Sequence, residues 1–328
     1  MKKKIVITGG SGFIGSYLIK KFLSKNCTVL NIDKLSAESQ NLLIKNRNYR
    51  FKKCDLLNFR KLFKILDIFD PDTIINAAAE SHVDRSIHLP KFFFENNLIS
   101  TLNLLEFVRQ SKKKINFIHI STDEVFGSLD YKEKKFSIIS KYNPRSPYSA
   151  SKAASDHAVR SYGETFGISF NITNCSNNFG PYQYPEKLIP LVITRCIQRM
   201  KIPIYGNGKN IRDWIHVKDH VNAIYEIYKR GKNGKTYLIG SDNELTNLEI
   251  TRKICEIFDD LYKTKNSKNL IKFVKDRKGH DFRYAIDNSV IFKELKWKPT
   301  MDFETGLRDT IKFYYKNFKN LKKIFIYG

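Results

Sequence analysis

The stretch "KIVITGGSGFIGSYLIKKFLS", residues 4–24, decides the fold. It opens as a short apolar strand, is cut by Gly9, Gly12 and Gly15, and from Phe13 and Ile14 onward carries apolar residues at helical spacing. A strand that turns straight into a helix through three glycines is a phosphate cradle. Gly9 permits the tight turn, Gly12 lets backbone approach a pyrophosphate, and Gly15 packs the helix against the strand. The helix N-terminus then faces the phosphates. The next apolar run, "CTVLNID" (27–33), ends on Asp33, placed to hold a ribose 2′-hydroxyl and to disfavour a 2′-phosphate. The spacing therefore predicts a dinucleotide site for NAD rather than NADP. Lys34, Asp55, Leu56 and Ala77 close later strand ends on the same side. Asp55 has two readings, the adenine edge or a cap for the helix "LLNFRKLFKIL" (56–66).

Outward from this stretch, strand-like and helix-like segments alternate. "FRKLFKILDIF" (59–69) reads as a helix and "DTIINAAAE" (72–80) as a strand. "FFFENNLISTLNLLEFVRQS" (92–111) reads as one long helix, and "INFIHIST" (115–122) as a strand. Alternation of this kind implies parallel pairing through right-handed crossovers, hence an α/β, doubly wound parallel (Rossmann) sheet. From about Asn178 the rhythm becomes irregular, with Pro and Gly punctuation in "FGPYQYPEKLIP" (179–190) and "PIYGNGKN" (203–210). The expected organisation is a cofactor domain over 1–178 that also receives part of 211–240. A smaller substrate-binding lobe over 179–328 completes it.

The chain has 328 residues, 41% hydrophobic and 28% charged, a folded rather than a disordered composition. The basic start "MKKKIVIT" superficially suggests a signal peptide, but its apolar run breaks at Gly9-Gly10, too early for one. No apolar run reaches the roughly 18–20 residues of a membrane span. The reading is cytoplasmic. Five scattered cysteines, none in a Cys-x-x-Cys pair, indicate neither a disulfide framework nor a metal site. The net charge of +25 comes mostly from lysine in short clusters such as "KEKK" (132–135), without the interleaved aromatics of a base-stacking platform. It reads as solvated surface that attracts an anionic substrate, not as a nucleic-acid or membrane grip.

Two further motifs carry chemistry. In "PYSASKAASDH" (147–157), Tyr148 and Lys152 are four apart and share a helix face. An ammonium beside the phenol would lower its pKa and make it a base for a hydroxyl proton while hydride leaves for a nicotinamide. In "STDEVFG" (121–127), Asp123 and Glu124 stand side by side at the end of a buried strand. Burial and mutual repulsion make that pair costly unless it is a solvated turn or a working acid–base pair.

The glycine pattern together with Tyr148 and Lys152 resembles the extended short-chain dehydrogenase/reductase superfamily. "AAESHVDRSI" (78–87), "STDEVFG", "PYSASKAASDH", "NCSNNFGPYQYPEKLIPL" (174–191), "PIYGNGKNIRDWIHVKDH" (203–220) and "DRKGHDFRYAID" (276–287) are similar to its nucleotide-sugar 4,6-dehydratase branch, from residue 4 to about 310 in order. The resemblance implies C4 oxidation of a dTDP- or UDP-glucose, loss of water across C5–C6, and hydride return at C6, with NAD retained. It implies Asp123 as acid, Glu124 as base, Thr122 near O4 and Tyr148 with Lys152 at the hydride step. The resemblance assigns Ser81, His82, Asn177, Lys187, Leu188, Pro203, Tyr205, Arg212, Asn247, Arg277 and His280 to the sugar nucleotide, and it implies a homodimer. For several of these a local role is the alternative: a helix cap for His82, an ion pair with Asp213 for Arg212, ordinary core for Tyr205. Phe126 and Phe179 replace family tyrosines, Lys278 a family proline. "LSAESQN" (35–41) replaces the usual adenosine-side loop, leaving NAD affinity open. An epimerase or decarboxylase is the rival enzyme, disfavoured by the Asp-Glu pair. An NAD-bound regulatory or nucleic-acid-binding protein is the rival outside enzymes.

Overall fold

Strand, turn and helix follow one another at the start of the chain as the glycine pattern requires. The structure, a computed structural model, describes residues 2–326. Strand β1 (Lys4–Thr8) leads through the glycine turn into α1 (Phe13–Ser24). Then come β2 (Thr28–Asp33), β3 (Tyr49–Lys53), α2 (Phe59–Phe69), β4 (Thr73–Asn76), α3 (Val83–His88) and α4 (Pro90–Phe94). A π-helical turn (Glu95–Ile99) precedes α5 (Ser100–Gln110), β5 (Asn116–Thr122), a 3-10 turn (Asp123–Phe126), α6 (Pro147–Phe166) and β6 (Ser169–Cys175). The second half adds β7 (Asn177–Phe179), α7 (Leu188–Gln198), β8 (Ile202–Tyr205), β9 (Ile211–His216), α8 (Val217–Arg230) and β10 (Thr236–Ile239). It ends with β11 (Glu244–Thr246), α9 (Asn247–Tyr262), β12 (Ile271–Val274), α10 (Ser289–Leu295), α11 (Phe303–Asn317) and α12 (Leu321–Ile324).

Seven strands form one sheet in the order β10-β6-β5-β4-β1-β2-β3, every described pairing parallel. Helices cover both faces. On one, Leu18, Ile19 and Phe22 of α1 pack with Val221 and Ile224 of α8; on the other, Leu62 and Leu66 of α2 pack with Leu104 and Val159. The strand order reverses between β1 and β4, so their C-terminal ends part and open a crevice there, where such sheets bind ligands. Residues 179–328 do not stay apart from this sheet. Strand β10 pairs with β6, and α8 lies on α1. The remainder builds a separate core around Ile189, Val192, Trp214, Ile250 and Leu307, with a three-stranded β11-β9-β7 sheet and a β12-β8 pair.

One departure from the sequence reading bears on the site. The helix expected over 92–111 is broken by the π turn at 95–99. Asn97 explains it: buried inside the turn, it accepts from the Glu80 amide and donates to the Glu80 carbonyl and Ser151. An inserted residue swings that amide toward the strand β4 exit, a recurrent use of π turns beside functional sites. No described helix is long and apolar enough to cross a membrane.

Candidate active site

The crevice at the switch point runs between the glycine turn, the ends of β2, β4 and β5, and the start of the C-terminal lobe. Gly9 has φ +64°, and a Cβ there would meet the Ala78 Cα at 2.7 Å. On Gly15 a Cβ would stand 2.2 Å from the Gly9 carbonyl oxygen, which explains why neither position accepts a side chain. No side chain caps α1 and no acid sits in its first turn, so Phe13 and Ile14 present a bare helix N-terminus to the crevice. Asp33 is almost fully buried and receives the Ser11 and Leu35 amides at 2.9 and 2.8 Å. Burial raises its pKa against those bonds. Lys34, Asp55, Leu56 and Ala77 also border the crevice. Asp55 accepts from the Leu57 amide, whereas Asn58 caps α2, so Asp55 is not that helix's cap. Lys34 is held by Glu80 and Asn96 at 2.9 and 2.7 Å. These residues fit a dinucleotide: a bare helix end for the diphosphate, a buried carboxylate for ribose hydroxyls, and a turn that tolerates only glycine.

At the far end of the crevice the 3-10 turn after β5 presents the paired acids. Thr122 caps it, accepting from the Glu124 amide and donating to Asp123 Oδ1 at 3.2 Å. Asp123 is 2% exposed, and its Oδ2 has no hydrogen-bond partner among the described residues. The pair is thus no solvated turn. Burial first, then Glu124 and Asp213, hold Asp123 well above the ordinary carboxylate range. Glu124 is raised too, chiefly by burial, but Arg277, Arg212 and Lys187 pull it back down. Both acids are raised, but neighbours of opposite sign push them apart, Asp123 held the higher and Glu124 drawn back by its cations.

Tyr148 and Lys152 enter from α6, whose start is fixed by a Ser146–Ser149 capping box. Both border the crevice, but the expected lowering of the phenol pKa does not occur in this structure. Burial and the nearby Glu124, Cys175 and Asp123 push Tyr148 well above 10, with a hydrogen bond to Thr122 opposing them. The Lys152 ammonium donates instead to the Ile120 carbonyl at 2.7 Å. Its own pKa is pushed down to about 8 by burial, against the pull of Asp156 and Cys175.

The residues expected to meet the sugar nucleotide divide into two groups. Ser81, Asn177 and Lys187 border the crevice with Thr122, and Lys187 donates to the Ser81 carbonyl at 2.9 Å. Asn177 Oδ1 is buried without a hydrogen-bond partner among the described residues. His82 caps α3 through Nδ1 and lies 3.4 Å from Glu186, so the cap reading holds for it. Leu188 starts α7 and packs into the C-terminal core rather than bordering the crevice. Pro203 pairs with Lys272 in the β8–β12 ladder, and the Asn247 amide bonds to the Asn210 carbonyl at the head of α9. Arg212 makes no ion pair with Asp213. Its guanidinium stacks 4.2 Å from the Tyr284 ring centroid and donates to the carbonyls of Ile211, Asp281 and Phe282. Tyr205 is 41% exposed rather than core. Asp84 of α3 draws the outer members together, accepting from the Tyr205 hydroxyl at 3.1 Å and lying 3.5 Å from Arg277. His280 meets Tyr205 edge-on and bonds Asp276 at 2.7 Å. The sequence reading missed His119, Asp156, Cys175 and Gln183. A histidine inside the apolar run of β5, and an acid one helical turn beyond Lys152, were the available signals for the first two.

A parallel doubly wound sheet with a glycine-only turn at its switch point defines the dinucleotide-binding dehydrogenase class. Within that class the comparisons are specific. The family model for GDP-mannose 4,6 dehydratase matches residues 6–310. A dTDP-glucose 4,6-dehydratase of Escherichia coli is 44% identical over 340 residues, covering 96% of this chain and 94% of its own. One from Haemophilus influenzae is 44% identical over 331 residues, covering 95% and 98%. The crystal structure of dTDP-glucose 4,6-dehydratase from Bacillus anthracis in complex with NAD superposes with a TM-score of 0.87 at 38% identity, covering 97% of this chain and 98% of that one. The chain belongs to the nucleotide-sugar 4,6-dehydratase family.

Proposed function

We infer that this chain is an NAD-dependent dTDP-glucose 4,6-dehydratase, making the 4-keto-6-deoxy sugar nucleotide that deoxysugar biosynthesis uses. The carrying observation is the Asp123–Glu124 pair, the first buried and the second half-buried, whose neighbours drive the two acids apart, set beside Tyr148 in a crevice that fits NAD. NAD, when bound, accepts hydride from C4 of the sugar and gives it back at C6. With the positive charge of bound NAD in the crevice favouring its phenolate, Tyr148, steadied by Thr122, takes the 4-hydroxyl proton. The resulting ketone acidifies C5–H, and Glu124 removes that proton while Asp123 gives its own to the departing 6-hydroxyl, releasing water. Glu124 then returns its proton to C5 as hydride arrives at C6. The proton held by Tyr148 balances the one Asp123 lost, so one transfer between them resets the site. An epimerase on this scaffold has no use for a protonated buried acid beside a second carboxylate.

Asn177, Lys187, Arg212 and Arg277 surround the diphosphate end of this arrangement in our reading, and Tyr205 with His280 the base. Residues 1–178, with α8 and β10, form the cofactor half, and the rest of 179–328 the nucleotide lobe. A homodimer is proposed through α4 and α6, where Phe92, Phe94 and Phe166 are exposed; a monomer by light scattering at micromolar concentration would sink it. The cytoplasm fits five free, buried cysteines. The decisive experiment is mass spectrometry of the purified protein with dTDP-glucose and, separately, UDP-glucose, without added NAD. Loss of one water from dTDP-glucose supports the reading. Turnover of UDP-glucose alone would change the base, and inertness toward both, even with NAD added, would reject it.

A further inference from the structure

Behind Lys152 lies a fully buried polar chain that the reaction above does not use. It starts at Thr8 on β1. The Thr8 hydroxyl takes the Ala78 amide proton and gives its own to Asn76 Oδ1 at 2.8 Å. Thr101 gives its hydroxyl proton to the Asn97 carbonyl, so toward Asn76 Nδ2, 3.0 Å away, its oxygen accepts. The orientation of the Asn76 amide is thereby fixed, and its second N–H points at His119 Nδ1, 3.2 Å away. His119 Nδ1 is therefore an acceptor, which puts the imidazole proton on Nε2. That N–H faces Lys152 Nζ at 3.4 Å and Asp156 Oδ1 at 3.5 Å. Asp156 is occupied on its other oxygen by Ser121, Tyr142 and Asn174. Burial, with Lys152 and Arg160 close by, keeps His119 uncharged.

We propose that His119 is a positioning residue for Lys152: locked by Asn76 as the Nε2–H tautomer, it offers the ammonium no lone pair, so among the described residues only the Ile120 carbonyl holds the lysine inside the protein and its remaining protons turn toward the crevice. A donor facing a donor also opposes protonation of the lysine. The other groups that face Lys152 are Asp156 on its own helix and Cys175 on β6, with Arg160 beyond His119. Asp156 and Cys175 favour the charged amine; His119 is the member of the set that opposes it.

The chemistry it serves rests on the dehydratase reading, but the tautomer does not, and it can be read without turnover. In protein labelled with 15N-histidine and carrying its cofactor, the His119 signal, assigned by its loss in His119→Gln, should show protonated Nε2 and bare Nδ1 across neutral pH. A protonated Nδ1 or an imidazolium would overturn the proposal whatever the enzyme does. His119→Gln keeps the wild-type pattern, its oxygen turned to Asn76 and its NH2 to Lys152, and should retain kcat. Asn76→Asp, which accepts from Nδ1–H and reverses the tautomer, gives Lys152 an internal acceptor. It should lower kcat on dTDP-glucose at least about ten-fold with KM little changed, and move the alkaline limb of the kcat profile upward by about one pH unit. Loss of stability with kcat and its profile unchanged would overturn the proposal by leaving His119 a purely structural role. If that variant does not fold, His119→Leu, which removes the donor opposing Lys152, should move the alkaline limb in the same direction. Should neither fold, the wild-type 15N signal alone decides. A wild type inactive on both nucleotide sugars would defeat the functional reading and leave the tautomer result standing.

Discussion

The two halves of the site are built by different means. On the side proposed for the cofactor, the groups on offer are mostly backbone: a glycine turn, a bare helix end, and a carboxylate at a strand terminus held by two amides. On the side proposed for the nucleotide, long side chains cross between segments remote in sequence. Arg212 on β9 is braced by carbonyls at 281–282, and Asp84 of α3 gathers Tyr205 and Arg277. Backbone recognition is rigid and fails all at once when a side chain intrudes. Side-chain recognition is graded and fails one contact at a time. Glu124 stands at the joint: burial raises its pKa, and three cations of the C-terminal half, Arg277, Arg212 and Lys187, pull it back down.

The largest expected loss is therefore at that joint. Glu124→Gln should cut dehydration by about 10²–10⁴-fold, the usual worth of a general base. Oxidation at C4 should survive in part, so reduced nicotinamide would build up on the enzyme and be visible by absorbance on mixing with dTDP-glucose. Full turnover in that variant would remove Glu124 from the chemistry and undo the contrast between the halves. Next comes Gly15→Ala. The new Cβ at 2.2 Å from a backbone oxygen cannot be relieved by a rotamer change. It should cost on the order of 3 kcal/mol and abolish NAD retention together, measured by thermal unfolding and by the nucleotide released on denaturation. Survival of both would show the turn to be softer than backbone recognition requires.

Asp123→Asn should divide activity from stability. The folded pKa of Asp123 is raised, so its favourable contribution is complete below the ordinary aspartate value and is lost as pH climbs through the raised one. At neutral pH the wild type thus carries a strained acid that asparagine does not. The variant should be nearly inactive yet more stable by about 1 kcal/mol, the gain vanishing in acid and growing with pH. A destabilised variant at neutral pH would mean that Asp123 is held as a charge, against the role of proton donor.

How much of this could be read in the sequence follows the same division. Gly9, Gly12, Gly15 and Asp33 were legible because their meaning lies in one contiguous strand–turn–helix and a fixed spacing. Thr122, Asp123 and Glu124 were legible because two acids ending a buried strand need a reason. Pro203, Asn247 and Leu188 were placed by resemblance to the family alone, and what the structure shows of them is local: a strand pair, a helix head and a core. The phenol of Tyr148 was misjudged for a physical reason. Spacing puts Lys152 on its helix face but does not reveal the carboxylates across the crevice or the Ile120 carbonyl that claims the ammonium. The π turn at 95–99 was invisible because it depends on Asn97 finding Glu80 and Ser151.

The smallest expected effect tests whether the backbone side also borrows from side chains. The loop at 35–41 is seated on the glycine turn by Gln40, which donates to the Gly12 carbonyl and Ser16 at 3.2 and 3.0 Å. The C-terminal segment holds it from outside, the Asn41 amide bonding to the Ile324 carbonyl and the Ile326 amide to the Ser39 carbonyl. Across the crevice mouth Arg85 contacts Glu38 of this loop and lies 3.7 Å from Glu186 of the lobe. Such half-exposed pairs contribute only about 0.2–1 kcal/mol, and salt screens them. Glu38→Ala and Arg85→Ala should each speed NAD loss during dialysis by at most about five-fold, more at low salt than at high, and the double variant should be no worse than either. Faster loss than that, at any salt, would make the crevice mouth a side-chain device and erase the distinction. Retention equal to wild type would leave the Gln40 side chain and the C-terminal backbone bonds as the support of the loop, and the cofactor half independent of the ion pairs at its mouth.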